Sequence, residues 1–340
     1  MGKKEVIVSF NGESMLICFI WCLWAAAAGG TSINRVHVVS YGAKADGKTD
    51  STKAFLKAWV WACSSGATML KAVEFRGPCK NRVTVEIDGT LVAPTNHWAM
   101  GNSGNWILFV QVNRLAVYGG TLDAKGAAFW ACKRSGKSCP VGARSITINW
   151  ANDIVISGST SINSQLSHMV INSCNNVLVR NVNLIASSQS PNTDGTKNLF
   201  MKNINCGPGH GVSIGSLGKV LKEDGVQNVT LTDAVFTGSD NGVRIKSWAR
   251  PSNGITAPNN QGCPQQSSGV KISGVTYRNI KGTSATAEAI KFDCSRSNPC
   301  RGIRLQDIKL TYRNRPASSS CNNIRGATTT GLLIPSPTFL

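Results

Sequence analysis

The chain has 340 residues, 41% of them hydrophobic, with 34 glycines and 12 prolines, which fits one large repetitive domain or two ordinary ones. Although 16% of the residues are charged, 36 are basic and 17 acidic, and the net charge of +19 attracts polyanions. Nucleic acid, an anionic membrane and an acidic polysaccharide are the three candidate partners. Because the basic residues are scattered, with no Arg/Lys-rich tail, the composition argues against nucleic acid and favours an extended anionic polymer in a groove.

The first element is an apolar stretch at residues 15–28. It is too short to span a bilayer, which needs about 20 residues. Its length and the small residues Ala26-x-Ala28 are typical of a secretory signal, with a buried core helix as the alternative. We therefore predict a signal peptide at 1–28 and a secreted chain at 29–340, with no membrane association after cleavage. Met15 is an equally good start, in which case residues 1–14 are a spurious extension.

The cysteines agree with secretion. Ten of the twelve follow residue 28, and none forms a Cys-x-x-Cys pair that would indicate zinc. In an oxidising compartment they indicate disulfides. The short spacings predict local bridges between Cys132 and Cys139 and between Cys294 and Cys300. No metal or cofactor is expected.

Residues 53–63 are typical of an amphipathic helix. Beyond them the chain repeats a unit in which a small or polar residue precedes apolar-x-apolar. Successive units start 22–41 residues apart, and each predicts a short strand rich in β-branched residues. The units lie at 113–117, 152–156, 175–179, 197–201, 227–231, 268–272 and 301–305.

Many short strands are compatible with a sandwich, a propeller or a β-solenoid. Spacings in the low twenties, lengthened where loops intrude, favour three-strand coils stacked into a parallel β-helix, and the sandwich remains the alternative. In such a solenoid, inward asparagines at the turns would form ladders from coil to coil. No linker divides the chain, so we predict one all-β domain with a short N-terminal helical cap.

Three later segments carry candidate chemistry. Asn-Thr-Asp-Gly at 192–195 by itself predicts a turn. Segment 206–218 places His210 among five glycines, whose backbone freedom would let a ligand approach closely. In Asn-Gly-Val-Arg-Ile-Lys at 241–246, Arg244 and Lys246 project from one face of a strand, about 7 Å apart. Such a pair suits a carboxylated sugar; a solvated basic face is the alternative.

In this order the segments resemble the site motifs of plant-type polygalacturonases, glycosyl hydrolase family 28. The resemblance runs from Val39 to Gly326, and its opening at 41–50 is similar to the N-terminal cap of pectin-degrading β-helices. It implies a right-handed single-stranded parallel β-helix of the pectin-lyase type, acting as a secreted monomer in the cell wall. The implied reaction is inverting hydrolysis of α-1,4-linked galacturonan in pectin.

The resemblance also implies roles for individual residues. Asp194 would activate water, and His210 would tune the protonation of the acid. Arg244 and Lys246 would bind galacturonate carboxylates, and Tyr277 would contact the substrate. Asp240 lies in a Ser-Asp-Asn-Gly stretch to which the family assigns no catalysis, so no catalytic role is expected for it.

One part of the family pattern is absent. Between the segments that here hold Asp194 and His210, the family has a Gly-Asp-Asp-Cys motif whose first Asp is the general acid. Residues 195–209 contain no acidic residue. One coil with its paired aspartates is therefore predicted to be missing, which would leave Cys206 as an unpaired thiol. Two further junctions, at 68–71 and between 252 and 263, are also shorter than in the family.

Three hypotheses remain open at this point. The chain is an active polygalacturonase, a catalytically impaired pectin-binding β-helix, or an incomplete translation of an active gene. Each acid–base group contributes about 10²–10⁴-fold to such reactions. Loss of both aspartates should therefore lower the activity by several decades.

Overall fold

The computed structural model of the chain describes residues 4–8, 34–44, 46, 48–63, 73–100, 102–185, 196–218, 226–247, 270–284 and 286–337. The first elements in chain order are β1 (Lys4–Val8), β2 (Asn34–His37), α1 (Thr52–Cys63), β3 (Val73–Arg76), β4 (Val83–Val92), β5 (Asn105–Val110), β6 (Leu115–Asp123), α2 (Ala127–Arg134), β7 (Arg144–Asn149), β8 (Asn152–Ser157), β9 (Thr160–Ile162) and β10 (Met169–Asn172). Two short 3₁₀ helices lie at Val38–Tyr41 and His97–Met100.

The remaining elements are strands. They are β11 (Cys174–Ile185), β12 (Thr196–Cys206), β13 (Val212–Leu217), β14 (Gln227–Ser239), β15 (Val243–Ser247), β16 (Thr276–Ser284), β17 (Glu288–Asp293), β18 (Cys300–Arg301), β19 (Arg304–Tyr312), β20 (Arg315–Pro316), β21 (Ser318–Asn322), β22 (Ile324–Arg325) and β23 (Thr328–Ile334).

The strands stack in parallel, coil upon coil. One large sheet has the order β2-β1-β4-β6-β8-β11-β12-β14-β16-β19, and β23 also pairs with β19. Other strands of the same coils form smaller sheets. One has four strands in the order β3-β5-β7-β10, and the others are the pairs β13-β15, β17-β21 and β18-β22. Among the described strands, the β19–β20 pair is antiparallel and the others are parallel. The predicted parallel β-helix is confirmed.

The repeated sequence units locate most of the large-sheet strands. Six of the seven lie in, or run into, β6, β8, β11, β12, β14 and β19. The unit at 268–272 was wrong, because the strand of that coil begins at Thr276. A bridge between Ser273 and Arg301 shows why: Ser-Gly-Val-Thr-Tyr at 273–277 aligns with Arg-Gly-Ile-Arg-Leu at 301–305.

Inward side chains of neighbouring coils stack in columns, which is how this solenoid forms its core. One column contains Val177, Leu199 and Val229, and all three are buried. Within β11, buried Val177 and Val179 keep the period of two expected for strands that bury one face. The apolar side chains of each coil therefore pack against those of the coils before and after it.

The junction predicted to lack a coil lies between β11 and β12. These strands pair in parallel from Cys174 opposite Thr196 to Leu184 opposite Cys206. A partial coil would break this register, because a one-residue slip exchanges the buried and exposed faces. The register of β11 and β12 is therefore intact on both sides of the junction.

Asparagine ladders cross the same junction. Asn198 donates to Asn175 at 2.8 Å and accepts from Asn228 at 2.7 Å, while Asn203 donates to Asn181 at 2.8 Å. The ladders that we predicted are present, but these asparagines lie within the strands and are exposed, so they are not at the turns and do not point inward. Asn198 has a φ of 52°, a left-handed conformation that asparagine tolerates better than most residues.

We expect Asn198→Ala to lower the free energy of unfolding by about 2 kcal/mol, because it removes ladder hydrogen bonds and places alanine at a left-handed φ. The matched variant Asn198→Gly removes the same hydrogen bonds without the backbone strain, so its loss should be about half as large. Urea unfolding of both variants measures the difference. Equal stability of Asn198→Ala and the wild type would contradict this role.

Helix α1 covers the N-terminal end of the solenoid core. Its Trp59 is buried, with ring centroids 4.7 Å from Phe75 and 5.8 Å from Phe109, and its indole N–H donates to the Arg76 carbonyl at 3.3 Å. The helical cap predicted at 53–63 is confirmed. None of the helices in the described ranges has the length and apolar character needed to cross a membrane.

The structure describes part of the segment predicted as a signal, and it describes both pairs of cysteines predicted to form local disulfides. Strand β1 lies within the segment predicted as a signal and pairs with β2 and β4, whereas residues 9–28 lie outside the described residues. Cys132 is bonded to Cys139 and Cys294 to Cys300. Both predicted local disulfides are confirmed.

His168 is a buried polar residue of the interior. It is 7% exposed, its Nδ1 lies 2.8 Å from the Ser161 hydroxyl, and its Nε2 has no hydrogen-bond partner among the described residues. Burial disfavours the charged imidazolium and lowers the pKa of His168 to about 4. The ring is therefore neutral over most of the pH range in which an unfolded histidine takes up a proton.

Because the folded pKa of His168 lies below the unfolded value, protonation favours the unfolded chain. The stability that depends on neutral His168 is complete above pH 6.5 and is lost as the pH falls towards 4, with a total of about 3 kcal/mol. The variant His168→Gln should lose this part of the pH dependence. Thermal unfolding at several pH values measures it, and parallel curves for wild type and variant would refute the assignment.

Candidate functional site

Strands β13 and β15 of consecutive coils bring the motif residues together. They pair in parallel, with Ser213 opposite Arg244. Just before the strands, Gly209 bridges Ser239, and the Asp240 N–H donates to the Gly209 carbonyl at 2.8 Å. The pairing shifts by one residue between these two points, so the second coil has one extra residue before its strand. His210 and Asp240 directly follow the bridged residues, so they lie beside each other before the register changes.

The glycines around His210 allow the next coil to approach. A Cβ on Gly207 would collide with the Thr237 carbonyl, and one on Gly211 with the Asn241 carbonyl. Both glycines have positive φ values, 136° and 75°. We expected these glycines to let a ligand approach. In the structure they have a packing role instead, because they permit close backbone contact between two coils.

Arg244 and Lys246 project from the same face of β15, as the sequence predicts. Between them, Ile245 packs against the core, and strand alternation directs its two neighbours away from it. Both side chains are half-buried. Partial burial strengthens electrostatic interactions, because fewer waters screen the charges. A carboxylate bound on this face would therefore interact with two cations in a fixed arrangement.

His210 contacts one carboxylate. Its Nδ1 lies 3.5 Å from Oδ2 of Asp240, whose side chain is 48% exposed, against 28% for His210. The contact does not have hydrogen-bond geometry, and Nδ1 has no hydrogen-bond partner among the described residues. A small rotation of either side chain would make the hydrogen bond, in which Asp240 would orient the imidazole.

Three polar atoms on this face are buried without a hydrogen-bond partner in the described part of the chain. They are Nδ1 of His210, Oγ of Ser213 and Nε of Arg244. Unsatisfied buried polar atoms are rare in native proteins, and each one calls for an explanation. Their concentration beside two cations is the arrangement expected where a polar, negatively charged ligand or its bound water completes the hydrogen bonding.

Of the two remaining predicted site residues, the structure describes one. Asp194 lies outside the described residues. Tyr277 lies on β16 of the large sheet, between Leu231 and Leu305, both buried, and its ring centroid is 6.3 Å from that of Phe292. Burial raises the pKa of the Tyr277 phenol. Its side chain packs inward, which differs from the substrate contact that we expected.

Sequence reasoning missed Ser213 and assigned no catalytic role to Asp240. The sequence did contain a signal for Ser213: Gly-Val-Ser-Ile at 211–214 and Gly-Val-Arg-Ile at 242–245 share a pattern. Aligning the two patterns places Ser213 opposite Arg244, as observed. The contact between Asp240 and His210 has no comparable signature.

Cys206 immediately precedes the glycine-rich segment, and its thiol is not in a disulfide. The predicted unpaired thiol is confirmed. Burial raises the pKa of Cys206 to about 11, so the thiolate is rare at neutral pH. In the described chain this thiol is therefore a packing group with low reactivity.

Comparisons with known proteins bear on the whole chain. The family model for glycosyl hydrolases family 28 matches residues 58–197, 194–257 and 257–331. The matches break at 194–197 and at 257. These breaks coincide with two of the three junctions predicted to be short, the one after Gly195 and the one between 252 and 263. A polygalacturonase of Prunus persica is 45% identical over 385 residues, covering 95% of this chain and 97% of the relative. That alignment is longer than the 340-residue chain, so the relative has residues that this chain lacks.

A polygalacturonase of Gossypium hirsutum is 34% identical over 368 residues and covers 88% of this chain and 89% of its own. Among solved structures, an endo-xylogalacturonan hydrolase from Aspergillus tubingensis has a TM-score of 0.58 at 17% identity, covering 84% of this chain and 90% of that one. An exopolygalacturonase from Thermotoga maritima has a TM-score of 0.52 at 14% identity, covering 86% and 88%. The structures support the β-helix, and the family match and plant relatives show that this chain belongs to the glycosyl hydrolases of family 28.

Proposed function

We propose that this glycoside hydrolase acts on α-1,4-linked galacturonan, the acidic polymer of pectin, and binds it across the face of β13 and β15. The observation that carries the proposal is the placement of Arg244 and Lys246 on one face of β15, with Arg244 opposite Ser213 on the strand that follows His210. Arginine can bind a carboxylate through two parallel hydrogen bonds, and lysine adds a point charge. The plant relatives named polygalacturonases support the same substrate class.

Inverting hydrolysis needs a protonated carboxyl at the leaving oxygen and a carboxylate that activates water, about 6.5–9.5 Å apart. Asp194 is proposed as the water-activating carboxylate. His210 is proposed to hold the hydrogen bonds around the scissile linkage, oriented by Asp240. Arg244 and Lys246 fix the sugar carboxylates, which orients the linkage towards these groups.

A second candidate, galacturonan binding with strongly impaired cleavage, is favoured by one specific observation. Strand β12 stacks directly on β11, and no acidic residue occurs between 195 and 209. We infer that the chain lacks the coil which, in the family pattern, supplies a partner acid for Asp194. An incomplete translation of an active gene gives the same sequence. Sequencing the transcript across Gly195 and Thr196 distinguishes a genuine loss from a translation error.

Release of reducing ends from polygalacturonate by the purified chain tests the proposed function. The proposal expects slow release that depends on Arg244 and on Asp194, with heated protein as the blank. Salt-sensitive binding without release would favour the second candidate. Absence of both binding and release at low ionic strength would overturn the substrate assignment.

We further propose that the chain acts as a monomer outside the cell, in the cell wall, after removal of residues 1–28. The apolar stretch at 15–28 and the two local disulfides support secretion. N-terminal sequencing of the protein recovered from the culture medium tests the cleavage site. A mature protein that retains residues 1–14 would contradict it.

A further inference from the structure

The outer face of the large sheet carries cations in register from coil to coil. One column of facing positions passes through β11, β12, β14, β16 and β19, and its residues are Arg180, Lys202, Thr232, Arg278 and Gln306, of which Thr232 is buried. The three cations of this column are exposed. This face belongs to a different sheet from β13 and β15, so it is separate from the candidate site.

A second outward column strengthens the charge at the C-terminal end. Lys281 on β16 lies directly opposite Lys309 on β19, and both are exposed. Neighbouring strands are about 4.8 Å apart, so the two lysines are close. Each follows an inward isoleucine, Ile280 or Ile308, that is buried. Exposed Arg304 on β19 adds a further cation on the same sheet.

The acids near these cations are already engaged. Asp233 accepts a hydrogen bond from Asn279 and lies 3.8 Å from the Lys202 ammonium, and Asp307 accepts the Leu332 N–H at 3.2 Å. Within the described ranges, no ion pair involves Arg278, Lys281, Arg304 or Lys309. Like charges on directly opposed strand positions are destabilising. Their presence here is therefore not explained by internal pairing.

We propose that these residues form a second binding surface for an extended acidic polysaccharide. It lies outside the proposed substrate site on β13 and β15, which is called the groove below. We call the second surface the external basic stripe and define it as Arg180, Lys202, Arg278, Lys281, Arg304 and Lys309. It spans four strand spacings, roughly 19 Å along the solenoid axis. The class of ligand rests on the proposed function, whereas the position of the stripe does not.

A second surface for the same polymer would matter because galacturonan chains are long. A chain that is held on the stripe keeps its other segments near the groove at a high effective concentration, without any new contact in the groove. The stripe also attracts the polymer at long range, and the attraction weakens as salt screens the charges. The stripe therefore anchors long chains and has little effect on short oligomers.

The test measures binding to long-chain polygalacturonate in a background that carries Arg244→Ala and Lys246→Ala, so that the groove contributes little. Salt-sensitive binding is expected to persist in this background. Adding Lys281→Glu and Lys309→Glu should weaken it by about tenfold at low ionic strength. The matched control adds Lys53→Glu and Lys57→Glu, exposed residues of α1, which change the net charge equally and should leave the binding nearly unchanged.

Two outcomes would overturn the stripe. Equal weakening by the two double substitutions would show that net charge alone acts, and tighter binding of double-stranded DNA than of polygalacturonate would indicate a different partner. Failure of the proposed function can be distinguished from failure of the stripe. Hydrolysis is measured with the intact groove, whereas binding to the stripe is measured in the variant whose groove cations are removed.

Discussion

Insertion of one solenoid coil that carries Gly-Asp-Asp-Cys between Gly195 and Thr196 is expected to raise the rate of polygalacturonate hydrolysis by about 10⁴-fold. The inserted aspartates would supply the general acid and share the activation of water with Asp194. Each such group typically contributes about 10²–10⁴-fold, and groups that act as a unit are not additive. Initial rates of reducing-end release measure the effect.

The fold should accept this insertion, because β11 and β12 already stack in register, with asparagine ladders between them. A solenoid coil contacts its nearest neighbours, so one more coil extends the stack without disturbing distant parts. The matched control is the same coil with Asn in place of both aspartates. An equally large rise in the hydrolysis rate with that control would contradict the proposed loss of the paired aspartates. So would an unmodified chain that already hydrolyses polygalacturonate as fast as the extended one.

Arg244→Ala is expected to weaken the binding of oligogalacturonate by about a hundredfold, because it removes a charged partner from a half-buried site. The conservative variant Arg244→Lys retains the charge but not the bidentate geometry, and it should recover part of the affinity. Calorimetric titration of wild type and variants provides the dissociation constants.

A matched surface substitution, Arg301→Ala, removes an exposed arginine from β18 and should leave the affinity within about twofold of wild type. Circular dichroism would show whether each variant keeps its strands. Arg244→Ala binding as tightly as Arg301→Ala would exclude Arg244 from the proposed carboxylate site.

Local patterns in the sequence predicted a large part of this structure. The two disulfides followed from cysteines seven and six residues apart, and the shared face of Arg244 and Lys246 followed from strand alternation. Such features depend on residues that are close in the chain. The repeated unit also predicted the β-helix, because its spacing equals the length of one coil.

The errors concern the relation between coils, which spacing alone does not define. Tyr277 was expected at the substrate, but its strand belongs to the large sheet and its ring is directed inward. The glycines near His210 were interpreted as space for a ligand, whereas the next coil occupies that space. Asp240 reaches His210 because both residues directly follow the bridge between Gly209 and Ser239. Each outcome depends on which residues become neighbours after stacking.

A crystal structure of the chain with bound trigalacturonate tests the central claim most directly. The account predicts one sugar carboxylate within hydrogen-bond distance of Arg244, a second contact from Lys246, and a glycosidic linkage beside His210. Binding of the sugar on another face, with Arg244 and Lys246 in contact with solvent alone, would contradict it.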